Sequence, residues 1–385
     1  MSGSSRVLPF GPSCSLLLGI FIAARVAVSF LPCESWGPSG YLCSVGYLEL
    51  PSGRSHTVVA NAAIPEGARL SNRIEFLSFR SERFTLDQRG YRNGPDGAVN
   101  KPQAVYFGSS FGLGLGLNDE ETFTAQVNRQ LGPIIYNASQ IFDTFLSADR
   151  FTLMARETGM EHGWIVVEIL NRGSFKYTPP SRSRLKDDYR AIHDELLRSM
   201  VPIVSVRRRI INPYALTRES SLLNMRLEDG RILPNPFHDL YSEEQLITGR
   251  KVLMFSDDKQ FSQRPDSPNI TADALLLLRD ELERRGYRLA VILLPNSYSV
   301  YYPLLRNHET PDASVQYMLD LSLRLSAGGV EALNLLPEMR AAARSELNRD
   351  RMIYFSDDAH WNALGCRIAA HAAAEWLQPL LDHAF

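Results

Sequence analysis

The sequence predicts an α/β protein with a doubly wound parallel sheet that carries an insertion and follows an N-terminal transmembrane helix. After residue 101, short continuous apolar runs alternate with helical patterns, which is typical of parallel strands joined by crossover helices. Near the N-terminus, an apolar stretch is long enough to cross a bilayer. A chain of 385 residues suits one large domain with attachments.

The N-terminal stretch, residues 7–32, carries a single charge, Arg25. No A-x-A-like cleavage site follows it, so an uncleaved signal-anchor over residues 1–33 is predicted. A cleaved signal peptide and a buried core helix are the alternatives. Arg6 before the stretch and Glu34 after it predict a cytoplasmic N-terminus and an exported, periplasmic globular domain on a single-pass anchor. Arg25 would snorkel to the interface or face a partner helix.

The rest of the chain divides into two regions. Residues 34–100 form a β-rich lead-in, with strand-like fragments such as TVVANAAI broken by Gly, Pro and Asn. Residues 101–385 form the α/β domain. It has an insertion at about 173–270, where apolar runs and helical patterns no longer alternate regularly. Before the insertion the predicted strands are QAVYFG, PIIYNAS and WIVVEIL, and after it RLAVILLP and VEALNLL. Asn118 with Glu121 predicts a capping box, and Gly132 predicts a helix end.

Composition narrows the function classes. A net charge of −2, with no basic cluster interleaved with aromatic residues, argues against a nucleic-acid partner. The four cysteines include no C-x-x-C pair, so no zinc site is predicted. The glycines at 112, 114 and 116 fit neither a Walker loop nor a dinucleotide fingerprint. The sequence therefore predicts no metal and no cofactor.

Ser110 lies in FGSSFGLGLGL, directly after the first predicted strand of the α/β domain. Parallel sheets bind ligands at the carboxyl ends of their strands, so this serine is a candidate nucleophile. The alternative is a turn residue in a flexible glycine-rich loop. The second candidate, His360 in FSDDAHWN, is preceded by Asp357 and Asp358. A carboxylate can orient an imidazole that takes a serine proton; the alternative is a helix cap with a buried histidine.

Together these two stretches resemble the SGNH (GDSL-type) hydrolases, which carry G-D-S-x after the first strand and D-x-x-H near the C-terminus. Here the first motif is Gly108-Ser109-Ser110-Phe111, and YFSDDAHWNALG matches the second. PNSYSVY at 295–301 resembles the P-x-K-x-x-V-Y segment of the alginate-acetyltransferase-like branch, with Ser297 in the lysine position. The similarity runs from near Thr85 to the end, with the insertion unmatched.

The resemblance implies that Ser110 is the nucleophile and His360 the general base. Asp357 matches the D-x-x-H carboxylate, whereas Asp358 matches the D-x-H-W spacing of the acetyltransferase branch. The sequence leaves both open, and Asp357 is favoured. Such enzymes transfer acyl groups, commonly acetyl, on or off polysaccharides through an acyl-serine.

The chain also departs from the family motifs before the nucleophile and in the oxyanion-hole segments. Ser109 replaces the aspartate that precedes the nucleophile. The oxyanion-hole glycine is expected near Phe142, and the G-x-N-D motif is replaced by ILNRGS. Asn171 is the expected side-chain donor, with Arg172 as the other occupant of the asparagine position. A lost donor of this kind costs about 10²–10³ in rate.

The implied function is a membrane-anchored acyl-esterase or O-acetyltransferase acting on an envelope glycan. Its partners would be an acylated glycan or a small acyl ester. The alternative is a catalytically silent SGNH-like structural subunit of a membrane protein complex, which suits the altered oxyanion motifs and the membrane anchor.

Overall fold

The computed structural model describes residues 55–59, 81–85, 87, 91–94, 99, 101–139, 145–172, 175–177, 227–228, 231–232, 241–307, 312–356 and 358–382. The predicted membrane anchor and most of the lead-in lie outside these residues. Among the described helices, none combines the length and hydropathy that a membrane span requires.

The described elements alternate between strands and helices along the α/β region. In chain order the strands are β1 (Ser55–Val59), β2 (Ser81–Thr85), β3 (Ala104–Phe107), β4 (Ile135–Asn137), β5 (Phe145–Leu146), β6 (Gly163–Leu170), β7 (Lys176–Tyr177), β8 (Leu227–Glu228), β9 (Arg231–Ile232), β10 (Tyr241–Gln245), β11 (Lys251–Phe255), β12 (Tyr287–Leu294) and β13 (Glu331–Asn334). The α-helices are α1 (Ser110–Leu113), α2 (Phe123–Leu131), α3 (Ala148–Glu157), α4 (Ser256–Gln263), α5 (Pro268–Glu283), α6 (Ser297–Tyr301), α7 (Ser314–Ala327), α8 (Leu336–Leu347) and α9 (Ala363–Asp382). Two 3₁₀ turns cover Asp119–Glu121 and Tyr302–Leu304.

The central sheet has five strands in the order β13-β12-β6-β3-β4. Each neighbouring pair is parallel. All eight residues of β6 are buried, as expected for a strand covered on both faces. The chain passes from β3 to β4 at one edge and then returns to β6 on the other side of β3. This reversal makes a topological switch point between β3 and β6, where such sheets open a ligand crevice. The parallel α/β architecture fits an SGNH-like fold.

Local sequence signals explain several boundaries. The predicted capping box is confirmed: Asn118 N donates to Glu121 Oε2 at 2.9 Å. It closes a 3₁₀ turn, however, and α2 begins only at Phe123. The predicted end of α2 is confirmed at Gly132, whose φ of 91° places it where glycine is favoured.

The second half of the predicted insertion contributes to the core. Strands β10 and β11 form an antiparallel hairpin, and Leu253 N of β11 donates to Ser356 O at 2.9 Å. Val252 and Met254 are buried in the main hydrophobic core. The short KVLMF run therefore packs as a strand beside the loop that precedes α9.

A buried arginine anchors the glycine-rich segment after β3. Arg92 is 1% exposed, and its Nε donates to Asp119 Oδ1 at 3.1 Å. Its Nη1 donates to Leu113 O at 3.1 Å and to Gly114 O at 2.6 Å, and its Nη2 donates to Leu117 O. These carbonyls belong to the turns that follow Ser110, so the lead-in holds the loop that carries the candidate nucleophile.

Replacing Arg92 by leucine is expected to lower the free energy of unfolding by about 3–5 kcal/mol, because Asp119 loses its buried ionic partner. Arg284→Leu is the control, since Arg284 is largely exposed and pairs with Glu281 on the surface of α5, where such pairs contribute about 0–1 kcal/mol. Urea denaturation of both variants measures the difference. Equal losses in the two variants would contradict the anchoring role of Arg92.

Candidate active site

Ser110 lies at the switch point of the sheet, as the first residue of α1 directly after β3. Ser109 caps this short helix, and its hydroxyl oxygen accepts a hydrogen bond from Phe111 N at 3.3 Å. The first N–H groups of a helix have no intrahelical acceptor, so the Ser110 N–H can serve a ligand. Gly114 ends the helix in the left-handed conformation at φ 79°.

Ser110, His360 and Asp358 form a continuous chain of hydrogen bonds. Ser110 Oγ lies 2.7 Å from His360 Nε2, and His360 Nδ1 lies 2.6 Å from Asp358 Oδ1. Because a carboxylate only accepts, Nδ1 carries the proton and Nε2 accepts from the Ser110 hydroxyl. His360 and Asp358 are 4% and 2% exposed, so water competes little for either contact. The geometry matches a nucleophile, a base and an orienting acid.

The carboxylate that contacts His360 Nδ1 belongs to Asp358, the nearer of the two aspartates in the sequence. Asp358 Oδ1 also accepts the His360 backbone N–H at 3.0 Å, so one oxygen holds both the backbone and the ring. The sequence favoured Asp357 at the D-x-x-H spacing, and that residue lies outside the described residues. Because this local turn brings the Asp358 side chain back to the His360 backbone, a carboxylate two residues before the histidine can reach Nδ1.

Aromatic packing holds the histidine loop against the core. The Phe111 ring lies 4.7 Å from the His360 ring, between centroids. Trp361 stacks on Phe123 at 5.8 Å and meets Phe111 edge-on at 5.4 Å. Phe355 N donates to His360 O at 3.0 Å. The imidazole orientation therefore rests on α1 and α2 as well as on its own loop.

A buried glutamate beside the nucleophile was not singled out from the sequence. Glu168 accepts from Tyr106 Oη at 2.7 Å, from Ser109 N at 3.1 Å and from the Ser109 hydroxyl. Burial raises the pKa of the Glu168 carboxyl, while the hydrogen bonds from Ser109 and Tyr106 oppose the rise. The signal available in the sequence was one charged residue inside the apolar run WIVVEIL.

Of the expected oxyanion donors, the structure describes the hydrogen bonds of Asn171. Asn171 Nδ2 donates to Ser299 Oγ at 3.2 Å, and no hydrogen bond joins Asn171 to Ser110 among the described residues. Its buried Oδ1 has no partner there either. An oxyanion donor would bind the substrate's acyl oxygen rather than Ser110 itself, so the role of Asn171 as side-chain donor stays a prediction. Asn296 joins the same two residues, because its Nδ2 donates to the Asn171 backbone carbonyl and its Oδ1 accepts from Ser299 N. Phe142 lies outside the described residues.

Arg172, the other occupant considered for the asparagine position, is held by Asp258. Its Nε and Nη2 contact the two carboxylate oxygens at 2.6 and 3.1 Å, and its guanidinium lies 4.4 Å from the centre of the Phe255 ring. Burial raises the pKa of Asp258, and Arg172 opposes the rise. Among the described residues, no cluster of histidine, cysteine and acidic side chains could hold a metal ion.

Comparison with known proteins gives one family match, over the C-terminal part of the chain. Residues 246–384 match the family model of the SGNH hydrolase-like domain of acetyltransferase AlgX. This segment contains His360 and Asp358 and follows Ser110 in the chain. No curated protein sequence matches the chain.

Two solved structures align with the chain at low similarity. One is the crystal structure of protein YXIM from Bacillus subtilis, with a TM-score of 0.36, 9% identity, and coverage of 76% of this chain and 60% of that one. A second aligns at a TM-score of 0.34 and 12% identity, over 74% of this chain and 99% of that one. Both are too distant to bear on function. The family match over residues 246–384 supports placing the chain in the SGNH superfamily, near the AlgX branch.

Proposed function

We propose that this protein is an SGNH-type acyl-esterase or O-acetyltransferase that works through an acyl-serine at Ser110. The observation that carries the proposal is the hydrogen-bond chain from Ser110 through His360 to Asp358, with distances of 2.7 and 2.6 Å. The match to the acetyltransferase domain supports acetyl as the transferred group.

The geometry supports a two-step transfer. His360 Nε2 takes the Ser110 proton as Oγ attacks the ester carbonyl carbon, and the carbonyl oxygen becomes an oxyanion beside the Ser110 N–H. The tetrahedral intermediate collapses, the C–O bond to the leaving alcohol breaks, and His360 returns the proton to that alcohol. A water molecule or a sugar hydroxyl then attacks the acyl carbon, and His360 takes its proton. The bond between Ser110 Oγ and the acyl carbon breaks, and His360 returns the proton to Oγ.

The setting of the reaction is also part of the proposal. Residues 1–33 anchor the chain, and the α/β domain lies on the exported side of the membrane. An acylated envelope glycan or a small acyl ester is the substrate, and other membrane-complex subunits are its partners. The apolar character of residues 7–32, with only Arg25 charged, supports this placement.

A second candidate function is a catalytically silent structural subunit. The observation that favours it is the Asn171 amide, whose Nδ2 already donates to Ser299 Oγ. An oxyanion hole that lost the Asn171 donor would turn over about 10²–10³-fold more slowly. On this hypothesis the fold and the triad geometry persist without turnover.

Reaction with a fluorophosphonate separates the two functions. The enzyme is expected to gain one phosphonyl group, which peptide mass spectrometry places on Ser110, because His360 activates the hydroxyl. His360→Gln is the control and is expected to lose the adduct while remaining folded. A folded wild-type protein that gains no adduct and hydrolyses no activated acetyl ester would exclude the enzyme and favour the structural subunit.

A further inference from the structure

The carboxylate of Glu168 is bound to the segment that carries the nucleophile. Its donors are Tyr106 Oη at 2.7 Å, Ser109 N at 3.1 Å and the Ser109 hydroxyl. Tyr106 lies on β3, and Ser109 immediately precedes Ser110. Glu168 itself lies on β6, across the switch point. One buried side chain therefore ties the neighbouring strand to the turn that presents Ser110.

Two glycines make room for this carboxylate. A Cβ atom on Gly108 would lie 2.7 Å from Glu168 Oε2 and 2.8 Å from Ser139 Oγ. On Gly112 it would lie 3.0 Å from Glu168 Oε2 and 2.5 Å from Ser139 Oγ. Cβ contacts below 3.0 Å essentially never occur, so a side chain at either position would force its neighbours to shift. Ser139 Oγ in turn accepts from Gly108 N at 3.0 Å. The turn between β3 and α1 therefore packs closely against the Glu168 carboxylate.

The Glu168 carboxylate compensates for the aspartate that the SGNH motif has before the nucleophile and this chain lacks. The SGNH motif has an aspartate immediately before the serine, and this chain has Ser109 there, with its hydroxyl on Glu168. A carboxylate with no partners would be costly in so buried a place, and its three donors offset that cost. We propose that Glu168 is a positioning residue that supplies from β6 the carboxylate which the family motif places before the nucleophile.

This inference rests on the proposed function, because the position of Ser110 has a chemical consequence only if Ser110 attacks an acyl group. Glu168 acts through Ser109: by holding both the N–H and the hydroxyl of Ser109, it sets the start of α1. That start fixes where Ser110 Oγ meets His360 and where the Ser110 N–H points. Misplacement of a reacting atom by about 1 Å can cost 10²-fold in rate.

The charge of Glu168 also acts on His360. Among the described residues, Asp358 contacts the imidazole by a direct hydrogen bond, and Glu168 and Asp258 interact with it electrostatically. Arg172 offsets Asp258, to which it is paired. Removing the charge of Glu168 is therefore expected to lower the pH midpoint at which His360 protonates, since a nearby anion favours the charged imidazole. A merely structural side chain would leave that midpoint in place.

The test compares Glu168→Gln, Ser109→Ala and the exchange variant Ser109→Asp/Glu168→Gln in the full chain. Two quantities are measured: the rate at which a fluorophosphonate modifies Ser110, and the His360 midpoint by NMR of ¹⁵N-histidine-labelled protein. Glu168→Gln is expected to react about 10²-fold more slowly and to show a lower midpoint. The exchange variant is expected to recover most of the rate, because its aspartate restores the carboxylate beside the nucleophile.

Glu346→Gln is the matched control, because Glu346 is a largely buried carboxylate of α8 that pairs with Arg349 and Arg351 away from the nucleophile. It is expected to change neither quantity. A folded Glu168→Gln protein with the wild-type rate and midpoint would overturn the proposal.

Failure of the proposed function gives a different pattern. If the wild-type protein never reacts with the probe, the midpoint of His360 protonation is the remaining test. A lower midpoint in Glu168→Gln supports the coupling of Glu168 to His360, and an unchanged midpoint overturns the proposal. If Glu168→Gln does not fold, Ser109→Ala tests the proposal instead, because it removes the hydrogen bond from the Ser109 hydroxyl to the Glu168 carboxylate. It is expected to react several-fold more slowly, and a wild-type rate would overturn the proposal.

Discussion

Ser110→Ala is expected to lower the turnover of an activated acetyl ester by about 10⁶-fold, because removal of the nucleophile leaves no acyl-enzyme route. The Ser110 hydroxyl is the group that His360 Nε2 contacts, at 2.7 Å. The measurement is the initial rate of hydrolysis at saturating ester, with the fold of the variant checked by circular dichroism.

Ser326→Ala is the matched control for this change, since Ser326 is exposed on α7, outside the site. Its turnover is expected to equal that of the wild-type protein. Ester hydrolysis that survives in Ser110→Ala at the wild-type rate would show that Ser110 is not the nucleophile.

Asp358→Asn is expected to lower turnover by about 10⁴-fold while leaving the fold intact. Asp358 Oδ1 accepts from His360 Nδ1 at 2.6 Å, which keeps Nε2 free to take the serine proton. An asparagine can present its amide N–H to Nδ1, which places the ring proton on Nε2 and blocks proton transfer from Ser110. The loss is expected mainly in kcat, because Asp358 is buried and acts through His360.

The neighbouring aspartate provides the comparison. Asp357→Asn alters the other carboxyl group of the same DD pair, and its turnover is expected to stay within a few-fold of the wild-type value. A large loss in Asp357→Asn with a small one in Asp358→Asn would reverse the assignment of the orienting carboxylate.

The elements of the α/β region could be predicted from the sequence because each has a local cause. The continuous apolar runs of β6 and β12 require burial on both faces, which only a covered parallel sheet provides. The capping box at Asn118 and the glycine at 132 mark boundaries through backbone hydrogen bonding and conformation. The KVLMF strand was assigned to the insertion because five residues carry too little periodicity.

The two halves of the candidate site were also visible in the sequence, as Ser110 after the first strand and His360 before the last helix. Their contact joins positions 250 apart in the chain, a separation at which motif spacing carries no geometric information. The choice between Asp357 and Asp358 likewise depended on the turn, in which one Asp358 oxygen accepts both the backbone and the ring N–H of His360.

The sequence by itself determined the alternation of strands and helices, the ends of the sheet at which chemistry can occur, and the residue types of a serine–histidine–carboxylate site. Only the tertiary structure decided which partners these side chains have. Glu168 on β6 accepts a hydrogen bond from Ser109, which follows β3. Asn171 donates to Ser299, whose N–H in turn donates to Asn296. Hydrogen bonds of this kind form between distant segments, so their geometry depends on strand order and packing rather than on local pattern.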